Sequence, residues 1–195
     1  MMNYTQKFFG HLKTVIKHKF WVWYYMNKCG RGWQGMWHDM SKFSPVEFFE
    51  SVKYYTGTSS PIDACKKDKG VSMAWMHHKG RNPHHYEYWQ DNFDHGGHPV
   101  EMLWKYKVEM LCDYLGAARA YMGKNFTYKA EYEWWKKKLE LPRAQHQNDK
   151  DFVSCILSQL AYEEEMGGYK RATSSLIYSL LVAKDSIYGG DHYKV

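Results

Sequence analysis

Apolar residues recur along this chain at spacings of three, four and seven, and no run alternates for long enough to mark a strand, so the expected fold class is all-α. Phe8, Leu12, Val15, Val22 and Met26 give a first helix from about Tyr4 to Lys28, ended by Gly30 and Gly32. The segment 33–43 reads as a short helix. Ser44, Pro45 and Glu47 then form a strong helix start, with Glu47 completing a capping box, and that helix runs to about Tyr55. A third helix is expected over 62–78 across Gly70, with Val71, Ala74, Trp75 and His78 on one face. Asn82-Pro83 marks another start, leading to about Phe93. Further helices are expected over 99–122, 127–139, from Asp149 or Asp151 to about Glu165, and over 169–188, followed by a polar tail over 189–195.

At 195 residues the chain suits one domain with a sizeable core. Nine Trp and seventeen Tyr imply a core built from large rings. The formal charge of +6 is modest, and the basic run Lys136-Lys137-Lys138 reads as a solvated helix face; a nucleic-acid partner is not supported, but small anionic substrates are favoured. Four widely spaced cysteines without a CxxC pair point to neither a zinc knuckle nor a disulfide framework. Residues 1–19 lack the apolar run of a signal peptide and no stretch is long enough to span a bilayer, so a cytoplasmic protein without membrane contact is expected.

The chemistry lies in the histidines and aspartates. His38-Asp39 offers a ring nitrogen and a carboxylate side by side, and His18, the run His77-His78, the run His84-His85, and Asp113 flank it at a distance. His11 and His18 lie seven apart on the inward face of the first helix, with His18 the firmer ligand. His78 shares the apolar face of its helix and His77 sits beside it; the spacing does not choose between His84 and His85. Asp113 falls among Met110, Tyr114 and Ala117, where a carboxylate needs a partner or a metal. Glu109, one turn earlier, is placed to accept a hydrogen bond from a ligand.

In a helical bundle such residues meet when each occupies the inward face of its own element. The expected site holds one metal on His18, His38, Asp39 and Asp113, and a second on His78 with His84, His85 or both, bridged by Asp39. Ions so bridged lie roughly 3.5 to 4 Å apart, an arrangement suited to phosphoester hydrolysis through a metal-activated water. Mixed His and carboxylate donors suit manganese, iron, nickel or zinc. Asp39 and Lys42 are the expected catalytic residues, and Lys42 and Arg81 the expected contacts to substrate phosphate.

The order His18, His38-Asp39, His78, His84-His85, Asp113, with Lys42 three residues past the pair, resembles the HD-domain superfamily of metal-dependent phosphohydrolases. The stretches Trp-His-Asp-Met-Ser-Lys-Phe-Ser-Pro-x-Glu-Phe, His-His-x-x-x-Asn-x-His-His and Cys-Asp-Tyr resemble more narrowly an uncharacterised HD-like family of bacteriophage and bacterial genomes. The resemblance implies an HD-like helical core over about 4–123 with a C-terminal helical extension over about 127–188, within a single domain spanning 1–195. It implies hydrolysis of a nucleotide or other phosphoester. The alternatives are a di-iron oxygenase on the same scaffold and a non-catalytic helical binding module.

Overall fold

The structure is a computed structural model that describes residues 2–188; the tail expected over 189–195 lies outside them. Eight α-helices are seen among the described residues: α1 (Tyr4–Lys28), α2 (Gly32–Trp37), α3 (Pro45–Tyr54), α4 (Pro61–Lys69), α5 (Met73–Lys79), α6 (Trp104–Met122), α7 (Tyr128–Leu139) and α8 (Gln147–Tyr188). The chain is all-α. An isolated antiparallel bridge pairs Gln90 with Pro99, and none of the described helices is long and apolar enough to cross a membrane.

The centre of the fold is the packing of α1 against α6. Asn3 and Gln6 start α1 with a reciprocal capping box, each side chain accepting from the other's backbone N–H at 2.9 Å. The buried stripe of α1 is His11, Val15, His18, Val22, Tyr25 and Met26, one face of a 3.6-residue repeat. Gly116 is where α6 comes closest: a Cβ there would lie 2.5 Å from Val22 Cγ2 and 2.9 Å from Val22 N, so only glycine admits the crossing. Asp113 lies one turn before Gly116 and His18 one turn before Val22, so this contact brings the two ligands together.

Helices α7 and α8 pack on each other and complete a core shared with α1 and α6, in which Tyr25, Met110, Leu115, Trp135, Phe152 and Ile156 are buried. The large rings carry their polar tips to partners, as expected. Tyr128 and Thr173 hydroxyls meet at 2.7 Å, Tyr25 and Tyr169 at 3.2 Å, and Trp135 Nε1 donates to Ser154 Oγ at 2.8 Å. The expected break at Gly167-Gly168 is present, with Gly168 at φ 77° and ψ 177° inside α8. Lys136 and Lys137 are exposed, as a solvated face requires.

Four expected helices differ. The segment 33–43 is interrupted: α2 stops at Trp37, His38 is extended, Asp39 is left-handed at φ 53°, and a 3₁₀ turn covers Met40–Phe43. The segment 62–78 is two helices, because Gly70 takes φ 75° and closes α4, after which Ser72 caps α5 through Trp75 N. The helix expected from Asn82 to about Phe93 is absent, and a 3₁₀ turn covers Tyr86–Tyr88 there. The Asn82 side chain is committed backwards, donating to the His78 carbonyl at 2.8 Å and Ser41 Oγ at 2.9 Å, so it caps nothing ahead of it. The long helix expected from residue 99 begins at Trp104.

One buried carboxyl has a measurable consequence. Glu131 on α7 is 5% exposed, and burial, aided by the charge of Asp113, raises its pKa to about 8. The unfolded chain releases this proton near 4.5 while the folded chain retains it, so stability falls as pH rises from about 4.5 to 8, by at most about 5 kcal/mol. Glu131→Gln is expected to raise the thermal midpoint by several degrees at pH 8 and to leave it unchanged at pH 4.5 in parallel melts.

Candidate metal centre

Five elements deliver the site. His18 comes from α1, His38 and Asp39 from the break after α2, His78 from α5, His84 and His85 from the turn that follows it, and Asp113 from α6. All seven expected ligands meet in one place, and all but the half-buried His85 are buried. Their donor atoms fall into overlapping groups, two of which share Asp39: His18, His38, Asp39 and Asp113 in the first, and Asp39, His78, His84 and His85 in the second; a third joins His38 and His84 to Glu109.

The two oxygens of Asp39 divide between the groups. Oδ2 lies 3.2 Å from His38 Nε2 and 3.5 Å from His18 Nε2, and Oδ1 lies 3.3 Å from both His78 Nε2 and His84 Nε2. Asp113 Oδ1 closes the first group at 3.1 Å from His18 Nε2 and 3.3 Å from His38 Nε2. Despite these separations, His18 Nε2, His38 Nε2, His84 Nε2, His85 Nε2 and Asp39 Oδ1 are buried without a hydrogen-bond partner, and Asp39 Oδ2 has only the Lys42 ammonium, at 2.5 Å. The ring nitrogens and carboxylate oxygens are near one another but do not point at one another. Donors on a common ion at about 2.1 Å stand ~3.0 Å apart in an octahedral and ~3.4 Å apart in a tetrahedral arrangement, close to the distances seen. Five orphaned buried polar atoms converging in this way fit metal binding, since leaving each one bare would otherwise cost about 1–3 kcal/mol.

Two carboxylates orient the rings from behind. His38 Nδ1 donates to Glu109 Oε1 at 2.9 Å, and His84 Nδ1 lies 3.4 Å from the same oxygen. Glu47 on α3 accepts from His78 Nδ1 at 2.8 Å and from His77 Nδ1 at 2.6 Å. A carboxylate can only accept, so each fixes the proton on Nδ1 and turns the Nε2 lone pair inward. His77, bonded to Glu47 in the same way, belongs to none of the donor groups. Glu109 matches its expected role, whereas Glu47 departs from the capping box: Ser44 Oγ still receives Glu47 N, but the Glu47 side chain turns to the histidines. The local pattern Ser-x-x-Glu is the same in either case, so the sequence carries no signal that separates them. Glu47→Ala and Glu109→Ala are each expected to weaken metal affinity about 10- to 100-fold in metal titrations while the fold persists.

The backbone of the break is held by Lys19, whose Nζ donates to the His38 carbonyl. Asp39 is the one non-glycine residue with positive φ among the described residues, a conformation Asp tolerates better than most. The electrostatics favour cations. Burial opposes ionisation of Asp39, but the charges of His38, Lys42, His78 and His84 hold its carboxyl well below the usual range. Asp113 is likewise held low, against burial, by His18 and His38, and Glu109 is lowered to about 2 by His38 and His84. Glu47 is also lowered. Burial opposes protonation of His38, yet Asp39, Asp113 and Glu109 raise its pKa well above the usual value; burial and His84 push that of His85 well below it. Four ionised carboxylates thus surround a site whose nearest lysine is Lys42, its Nζ 2.5 Å from Asp39 Oδ2. Two divalent ions would balance them.

A cavity of about 240 Å³ opens onto the first group, lined by His18, His78, Asp113 and Lys42 at its inner end and by His11, Thr14, Ser51, Ile62 and Tyr121 among others further out. Lys42 is therefore where its expected role needs it. Arg81 is exposed and lines a separate hollow together with Asp39, His84, Glu109, Trp37 and Lys105, so it borders the cluster without lining this cavity.

Residues 7–159 match a protein family described as a family of unknown function, DUF5662. Neither a curated protein nor a solved structure matches the chain.

Proposed function

The chain belongs to the DUF5662 family, and we propose that it is a metal-dependent phosphohydrolase of HD type, acting on a nucleotide or other small phosphoester. The observation that carries this reading is the division of the two Asp39 oxygens between two donor groups beside Lys42 and an open cavity. Divalent ions held there supply Lewis acidity and lower the pKa of water, the chemistry of phosphoester hydrolysis. Mixed His and carboxylate donors suit manganese, iron, nickel or zinc.

The remaining work falls to the protein's own side chains. His18, His78 and Asp113 line the inner end of the cavity, so an ester that enters meets ligands of both groups. Lys42, raised above its ordinary pKa by Asp39 and Asp113 against the effect of burial, stays cationic and can take a non-bridging phosphate oxygen. Val15, Ile62, Ala74 and Ala117 keep the walls apolar, which strengthens each of those contacts. With Arg81 outside the cavity, phosphate contact rests on Lys42. Cys29 and Cys112, whose Sγ atoms stand 3.7 Å apart as free thiols, support a cytoplasmic setting for this enzyme.

A di-iron oxygenase would use the same donors, and one experiment separates the two. Protein loaded with manganese under anaerobic conditions is expected to release orthophosphate from members of a nucleotide and phosphomonoester panel and to stop on chelation. Absence of release with any divalent metal, together with oxygen consumption by an iron-loaded form, would assign it to the oxygenase class. Absence of both would leave a binding module.

A further inference from the structure

Among the polar groups that line the outer cavity, most are already used. Thr14 Oγ1 bonds the Gly10 carbonyl and the Tyr55 hydroxyl, each at 3.0 Å; Ser60 Oγ accepts from Asp63 N; and Glu47 holds His77 and His78. His11 is different. It lines the cavity, is 7% exposed, and its Nδ1 is buried with no hydrogen-bond partner. Its ring is fixed rather than loose, packed with centroids 5.2 Å from Phe48 and 5.8 Å from Tyr55.

A buried imidazole nitrogen without a partner costs about 1–3 kcal/mol, a penalty that a bound ligand removes. The residue is not a member of either donor group. It lies two turns from His18 on the same face of α1, roughly 10 Å along the axis, and lines the same cavity as Lys42. Burial, reinforced by the charge of Lys42, lowers its pKa to about 4. A neutral imidazole offers one donor and one acceptor, which is what a hydroxyl group needs and what a second anionic group does not.

We propose that His11 is a specificity-determining residue that binds a hydroxyl on the leaving group, and that the substrate is a compact hydroxylated phosphoester. The proposal rests on the phosphohydrolase reading for the position of the phosphate. The volume agrees: about 240 Å³ lies below the roughly 300–1,000 Å³ of pockets that enclose drug-sized ligands, so the organic part is small.

Phosphonates, which this chemistry does not cleave, isolate recognition from turnover. Binding of propyl- and pentylphosphonate is compared by calorimetry with that of their terminally hydroxylated analogues, on manganese-loaded wild type, His11→Phe and His11→Asn. Wild type is expected to prefer a hydroxylated probe by about tenfold to a hundredfold. In His11→Phe, which keeps the ring packing, the preference falls to within about twofold; in His11→Asn, which retains an amide near Nδ1, most of it survives. Metal content and thermal midpoint stay those of wild type. Equal binding of the paired probes by wild type, no binding of either, or an unchanged preference in His11→Phe would overturn the proposal; should His11→Phe lose its metals, the wild-type preference and its fate in His11→Asn decide. A preference that disappears with His11 while no phosphoester is hydrolysed would reject the phosphohydrolase reading alone. Hydrolysis without any preference would reject the role of His11 alone.

Discussion

Asp39→Ala is expected to abolish both metal sites at once, a larger effect than any other single ligand change. Each of its oxygens faces a different donor group: Oδ2 faces His18 and His38, and Oδ1 faces His78 and His84. Asp113 belongs to the first group alone, whereas His84 belongs to the second and to the group it forms with His38 and Glu109. Loss of a shared ligand should exceed the 10- to 100-fold that orienting partners alone command, so affinity at both sites should fall by more than about 100-fold. Elemental analysis of the purified variants checks the pattern: Asp39→Ala keeps neither ion, while Asp113→Ala and His84→Ala each lose one preferentially. The change should leave the fold intact, because the α1–α6 core set by Val22, Gly116, Met110 and Leu115 does not depend on the carboxylate.

The second large effect is expected at Lys42. Its Nζ is 2.5 Å from Asp39 Oδ2 and faces the cavity, so it meets a phosphate oxygen where charge develops in the transition state. Removing a donor of that kind costs about 100- to 1,000-fold in kcat. Lys42→Met is therefore expected to lower kcat by that amount with metal content near that of wild type. Lys42→Arg should rescue little, because a planar guanidinium does not fit where one compact ammonium serves both Asp39 and the substrate. Steady-state kinetics beside metal analysis reads both; a lysine that served only as surface charge would leave kcat within a few-fold.

Much of this site is legible in the sequence, for a specific reason. Histidines and aspartates at inward positions of separate helices have few bland explanations when there are seven of them, and all seven expected ligands converge. Chain order alone does not give their grouping, since Asp113, the last of them, lies with His18 and His38. The helices with strong periodicity and clear caps, α1, α3, α6 and α7, also match their expected bounds at one or both ends.

What escaped the sequence has physical causes. The His-Asp pair was expected on a helix, but a helical His38-Asp39 would splay the two side chains about 100° apart; the left-handed Asp39 and the extended His38 let both face the same centre. Asn82-Pro83 has the form of a helix start, yet its amide is taken by the His78 carbonyl and Ser41, a tertiary contact that no local pattern encodes. Glu47 sits where a capping box would use it and was drawn instead to His77 and His78. Arg81 lines a hollow with Asp39 and His84 and not the cavity that holds Lys42, a separation that its place in the sequence does not reveal. Lys107, fully buried against Glu101 and Asp149, gave no warning either, since one partner lies in the segment before α6 and the other on α8.

The central claim is that the buried His and Asp cluster is a two-metal site, and the number of divalent ions bound per chain tests it most directly. Equilibrium dialysis of the purified wild type against manganese or zinc is expected to give two ions per chain, both lost in Asp39→Ala. A chain that binds no ion tightly, or one whose bound metal is unaffected by Asp39→Ala, would contradict it.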